Sequence, residues 1–124
     1  MADNMKLLIA DDNPAMRALL RQICSGVTAE VRDCASGTEV VALFKEFQPD
    51  LTLMDLVMPG MDGLTATTKI KTAFPNARSV IITQRRSPEY HETALQVGAV
   101  TFMLKDDLHA LPHLLVNALT HSKL

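Results

Sequence analysis

The stretch Lys6-Leu7-Leu8-Ile9-Ala10-Asp11-Asp12-Asn13-Pro14 decides how the rest of the chain is read. After Lys6 it is apolar, then it turns acidic, and it ends on a pair that starts helices. A short apolar run without alternation fits a strand buried on both faces. Asn13 suits an N-cap and Pro14 the first helical position. A buried strand followed at once by a helix opens a βα unit.

The pattern recurs outward from there. Residues 51–54, 80–82 and 100–104 are further apolar runs, and 29–31 is a weaker one. Ser36-Gly37-Thr38-Glu39 matches a capping box, and Ser87-Pro88 repeats the N-cap and first-position pair. The spacing predicts helices over 14–25 and 37–47, then one after Gly63, one after Ser87 and one from near Leu108. Met16, Leu19, Leu20 and Ile23 form the expected buried face of the first. Gly98 falls where a left-handed residue closes the fourth. Pro112 conflicts with a fifth helix beginning at Leu108: either that helix starts nearer Pro112, or its first turn is distorted.

Five βα repeats predict an α/β fold, a doubly wound (βα)5 sheet between two helix layers. The expected form is a flavodoxin-like three-layer sandwich with a parallel sheet of order 2-1-3-4-5. Its ligand crevice lies at the carboxyl ends of strands 1 and 3.

Composition narrows the class. The 124 residues fit one domain, expected over 1–124 with a core of about 6–122 and no output domain. A hydrophobic content of 48% excludes disorder, and with 4% aromatics the core must be aliphatic. A net charge of −2 argues against a nucleic-acid binder. No apolar run reaches membrane-span length, and Met1-Ala2-Asp3-Asn4 lacks the regions of a signal peptide. The expected location is cytoplasmic, with Cys24 and Cys34 as reduced thiols.

The polar residues gather on one edge of this frame. Asp11 and Asp12 follow strand 1, Asp55 ends strand 3, Thr83 ends strand 4 and Lys105 ends strand 5. Three carboxylates in one crevice repel, and burial makes the repulsion worse. A small hard dication with oxygen ligands, Mg²⁺, relieves this and leaves room for a phosphoryl oxygen. Lys105 adds a point charge suited to phosphate, and Thr83 a hydroxyl donor. Such parts serve in-line phosphoryl transfer, with Asp55 as the nucleophile.

Asp55-Leu56-Val57-Met58-Pro59-Gly60-Met61-Asp62-Gly63 resembles the phosphoacceptor loop of response-regulator receiver domains. With Asp11-Asp12, Thr83 and Lys105, the resemblance covers nearly the whole chain. Residues 98–107 look most like the receivers that often carry a C-terminal helix-turn-helix domain. The resemblance implies that Asp12 and Asp55, with the backbone carbonyl of Val57, bind Mg²⁺ directly, and that Asp11 completes the acidic triad. It makes Lys105 and Thr83 the phosphoryl contacts, and Thr83 and Phe102 the switch pair. The implied donor is a phosphohistidine on a sensor histidine kinase or a histidine phosphotransfer protein. The implied readout is a helix 4–strand 5–helix 5 face that changes affinity for a downstream protein, an output domain absent from this chain, or a second copy.

This sequence departs from the family at three places. Val57 is apolar where a polar side chain often influences the attacking water. Gln84 follows Thr83 where many receivers have a small residue, and Asp106 follows Lys105 where many have proline. Three rival readings stay open: a degenerate receiver acting as an interaction module, an Asp-dependent phosphohydrolase, and a flavin or dinucleotide binder. The second lacks an acid–base carboxylate two residues past Asp55, and the third lacks a G-x-G-x-x-G turn. Asp106 and Asp107 read as caps of helix 5, and Arg85-Arg86 as a solvated loop. His109 and His113 are four apart, but the intervening Pro112 and the lack of a third ligand argue against zinc.

Overall fold

Apolar runs and amphipathic stretches become alternating strands and helices in the computed structural model, which describes residues 5–121. Expectations for 1–4 and 122–124 lie outside these. The strands are β1 (Met5–Ala10), β2 (Thr28–Cys34), β3 (Leu51–Asp55), β4 (Ser79–Thr83) and β5 (Thr101–Leu104). They alternate with α1 (Pro14–Cys24), α2 (Gly37–Phe47), α3 (Gly63–Ala73), α4 (Pro88–Gln96) and α5 (Leu111–His121). All pairings are parallel, in the order β2-β1-β3-β4-β5. The doubly wound order read from the sequence is the order observed.

Strands β1, β3 and β4 lack alternation because each of their faces meets a helix layer. Leu8, Ala10, Met54 and Ile81 pack with Val40 and Phe44 of α2, Ala66 and Ile70 of α3, and Ala94 of α4. Their neighbours Leu7, Ile9, Leu53, Val80 and Ile82 pack with Leu20 and Cys24 of α1 and Leu111 and Leu115 of α5. Successive side chains point to opposite faces, so both sets must be apolar. Cys24 and Cys34 are free thiols, and burial pushes them up to about 12 and about 11. Among the described residues, no helix is long and apolar enough to cross a membrane.

Helix starts follow the sequence signals. Asn13 Oδ1 accepts from Ala15 N at 2.9 Å and Met16 N at 3.3 Å. Glu39 N donates to Ser36 Oγ at 3.2 Å, while Glu39 Oε2 accepts from Ala35 N at 3.0 Å. That reciprocal pair is a capping box shifted by one residue on its return arm. Asp62 and Ser87 cap α3 and α4 by accepting from Thr65 N and Glu89 N.

Four expectations need correction. Leu19 is 42% exposed, because the buried face of α1 centres on Leu20 and Cys24, and Leu19 lies about 100° round from Leu20. Val100 precedes β5 and is half exposed, although its N–H still donates to Ser79 O at 2.7 Å. Leu108 lies in a 3-10 segment, Lys105–Ala110, and α5 starts at Leu111. Pro112 thus falls in the first turn, where its missing N–H removes no helical bond. Asp106 and Asp107 therefore do not cap α5, and the 3-10 segment carries no side-chain cap.

Glycines set how closely the site loop is held. A Cβ on Gly63 would lie 2.1 Å from Asp55 O, so α3 begins in direct contact with the end of β3. Gly63 N donates to Leu56 O at 2.8 Å across the same junction. The obstructing atom is backbone and cannot swing aside. Gly63→Ala is expected to destabilise the fold by about 1–3 kcal/mol in urea denaturation. Gly26→Ala, where nothing lies within 4 Å, should change stability by less than about 0.5 kcal/mol.

Candidate functional site

Four strand ends deliver the polar residues to one place. Asp11, 1% exposed, follows β1. Its N–H donates to Cys34 O at 3.1 Å, and its carboxylate accepts from Asn13 N at 2.9 Å. Arg17 Nη1 donates to the Asp11 carbonyl at 2.8 Å, so α1 fixes the loop from behind. Asp12, next in the chain, is exposed. Asp55 and Thr83 end β3 and β4 and are both buried. Lys105, first after β5, places Nζ 3.1 Å from Asp11 Oδ2 and 3.5 Å from Asp55 Oδ1.

One carboxylate oxygen each from Asp11, Asp12 and Asp55 can lie within 4.8 Å of the others. The cleft in front of them holds about 340 Å³ and is lined by Asp12, Asp55, Val57, Thr83, Gln84 and Lys105, with Asn13 and Arg85 at its sides. The sequence-predicted residues are therefore brought together, except Phe102. That residue lies on β5 in a separate groove with His91 and Arg86.

The electrostatics are unfavourable as they stand. Burial raises the Asp55 carboxyl from 3.8 to about 6, and the charges of Asp11 and Asp12 add to the rise. Lys105 opposes it by charge and by hydrogen bonding. All-oxygen donors with surplus negative charge suit a hard dication, and the exposure of Asp12 leaves one side accessible to it. The residues present thus fit a magnesium site built from Asp11, Asp12 and Asp55.

Several contacts were not legible as function in the sequence. Thr83 Oγ1 accepts from Arg85 N at 3.2 Å, which leaves the hydroxyl proton free to donate elsewhere. The Phe102 ring stacks on His91, with centroids 5.0 Å apart and planes 11° apart. Arg86 pairs with Asp106 of the 3-10 segment across the surface, and both side chains remain exposed, as a solvated loop would have them. Asn13 was read only as a cap, yet it also lines the cleft. Its adjacency to Asp12 was the available signal.

A family model of the response regulator receiver domain matches residues 7–115. The chain belongs to this family. It is a receiver domain of two-component signalling, and such domains generally bind Mg²⁺ at an acidic pocket and work with a sensor kinase. It is 34% identical over 119 residues to the uncharacterised transcriptional regulatory protein YxjL of Bacillus subtilis, covering 94% of this chain and 53% of that one. The chain therefore spans about half the length of that relative. It is 35% identical to the chemotaxis protein CheY of Halobacterium salinarum, covering 81% of this chain and 83% of the relative. Among solved structures it resembles the CheX-CheY-BeF3-Mg+2 complex from Borrelia burgdorferi, with TM-score 0.85 and 28% identity over 94% of this chain and 89% of that one.

The raised Asp55 carboxyl makes a stability prediction for the protein in chelator. Between pH 3.8 and about 6 the folded state binds more protons than the unfolded state, so stability falls as pH rises through that window. Above it the penalty is fully present. Asp55→Asn removes the penalty and should stabilise the metal-free domain at pH 7.5, by up to about 3 kcal/mol. The advantage should shrink toward pH 4. Urea unfolding of both proteins across this range checks it.

Proposed function

We propose that Asp55 accepts a phosphoryl group from a phosphohistidine on a sensor kinase or a histidine phosphotransfer protein. A carboxylate oxygen of Asp55 forms the new bond to phosphorus as the N–P bond breaks, and the imidazole leaves with its electron pair. The product is an aspartyl phosphate. The observation that carries this reading is the Lys105 ammonium, 3.1 Å from Asp11 and 3.5 Å from Asp55, inside a cluster of three carboxylates.

Asp12, Asp55 and the Val57 carbonyl would hold Mg²⁺, with Asp11 behind them. When bound, the ion neutralises charge on the carboxylates and on the incoming phosphoryl oxygens. The chain's own groups do the positioning. Lys105 turns one of its donors from Asp55 to a phosphoryl oxygen. Thr83 donates its hydroxyl proton to another. Oxygen donors fixed on strand ends need little rearrangement at the moment of transfer. The related CheX-CheY complex, which holds BeF3 and Mg+2, supports the expectation that the ion is taken up.

The readout is a two-state change biased by those contacts. Thr83 moves toward the phosphoryl group, and the Phe102 ring follows inward, away from His91. The groove between α4 and β5 then changes shape, and with it the affinity of the α4–β5–α5 face for a protein target, an output domain or a second copy. The chain turns over no diffusible substrate; it catalyses only its own phosphorylation and its slow hydrolysis.

Incubation with acetyl phosphate and Mg²⁺, followed by intact mass, tests this. One added phosphoryl mass is expected, absent in Asp55→Asn and in chelator. If no adduct forms, with acetyl phosphate or with a cognate phosphohistidine donor, the chain is an interaction module and this reading is wrong.

A further inference from the structure

Arg85 is the charged cleft residue to which the phosphoacceptor reading gives no task. It is exposed, and it lines the cleft with Asp55, Thr83 and Lys105. Arg17, Arg21, Arg32 and Arg86 each meet a carboxylate. The Arg85 guanidinium instead lies over the Tyr90 ring of α4, 5.8 Å from its centroid. An exposed cation over a tyrosine face is held weakly.

The backbone of Arg85 is already at the reaction centre. Its N–H donates to Thr83 Oγ1 at 3.2 Å, so it stands one hydrogen bond from the hydroxyl that would donate to a phosphoryl oxygen. Phosphorylation turns the Asp55 carboxylate into an acyl phosphate carrying nearly two negative charges, about one more than before, spread over three oxygens at the cleft. Among the described residues, the one ammonium in ion-pair contact with Asp55, Lys105, is shared with Asp11. A guanidinium presents a planar fork that fits two phosphoryl oxygens at once, a stronger contact than a ring face offers.

We propose that Arg85 is a phosphoryl-binding residue that exchanges the Tyr90 ring for the phosphorylated Asp55. This rests on the phosphoacceptor reading of the same site. Before phosphorylation Arg85 is parked on α4. Afterwards it closes the cleft mouth beside Gln84 and leaves Tyr90 uncovered. The exchange gives α4 a direct link to the phosphoryl group, separate from the path through Thr83 and Phe102.

The chain carries one tyrosine and no tryptophan, so Tyr90 emission reports this contact in the unlabelled protein. The probe is beryllofluoride with Mg²⁺, titrated into the wild type, Arg85→Ala and Arg85→Lys. Wild type should bind it with a change in Tyr90 emission. Arg85→Ala should bind about tenfold more weakly, with no such change, and Arg85→Lys should fall between them. Equal affinity in wild type and Arg85→Ala, or an emission change that persists without the guanidinium, overturns the proposal while leaving Asp55 as phosphoacceptor. A wild type that binds no beryllofluoride and gains no phosphoryl mass overturns both readings.

Discussion

Three carboxylates held around one ammonium form the constraint on which the rest of this structure depends. Asp11 and Asp55 are buried and Asp12 adjoins them, while Lys105 is the cation in contact with two of the three. Such a cluster is unfavourable in isolation, as the raised Asp55 carboxyl shows. It persists because the surroundings leave it no freedom. Parallel strands carry the acids on adjacent carboxyl ends. Gly63 lets α3 start against Asp55 O, and Arg17 holds the Asp11 carbonyl. The two-faced aliphatic core supplies the stability that the site withholds.

A site in that condition responds strongly to added charge of either sign. In the proposed reading a dication would relieve the repulsion, and a phosphoryl group would then redistribute the donors. The loops that hold those donors are joined to each other and to α4. Arg86 and Asp106 tie the loop after β4 to the segment after β5. Arg85 touches Thr83 through its backbone and Tyr90 through its side chain. His91 covers Phe102. In the proposed transfer, movement of Thr83 or Arg85 therefore reaches the α4–β5 groove through contacts already in place.

Much of this was legible in the sequence, for identifiable reasons. Period, caps and strand-end acids depend on local spacing, and local spacing sufficed to place β1, β3 and β4 and to gather Asp11, Asp12, Asp55, Thr83 and Lys105. What stayed hidden depends on how separate elements meet. The stacking of His91 on Phe102 requires the register of α4 against β5, which no period encodes. The pairing of Arg86 with Asp106 joins two loops twenty residues apart. Leu19 lay on the right stripe of α1 but at its margin, and only the docking angle exposes it. Pro112 carried its own warning, and the 3-10 segment before α5 is how the chain accommodates it.

If the acid cluster is built to be neutralised by a metal ion at Asp55, Mg²⁺ must stabilise the fold through that residue. The most direct measurement is the urea midpoint at pH 7.5 with and without Mg²⁺, for wild type and Asp55→Asn, with ionic strength matched by sodium. Wild type should gain stability with Mg²⁺ as mass action requires, roughly 1.4 kcal/mol at tenfold excess over Kd, and Asp55→Asn should gain far less. An equal response in the two proteins, or none in wild type, would contradict the account.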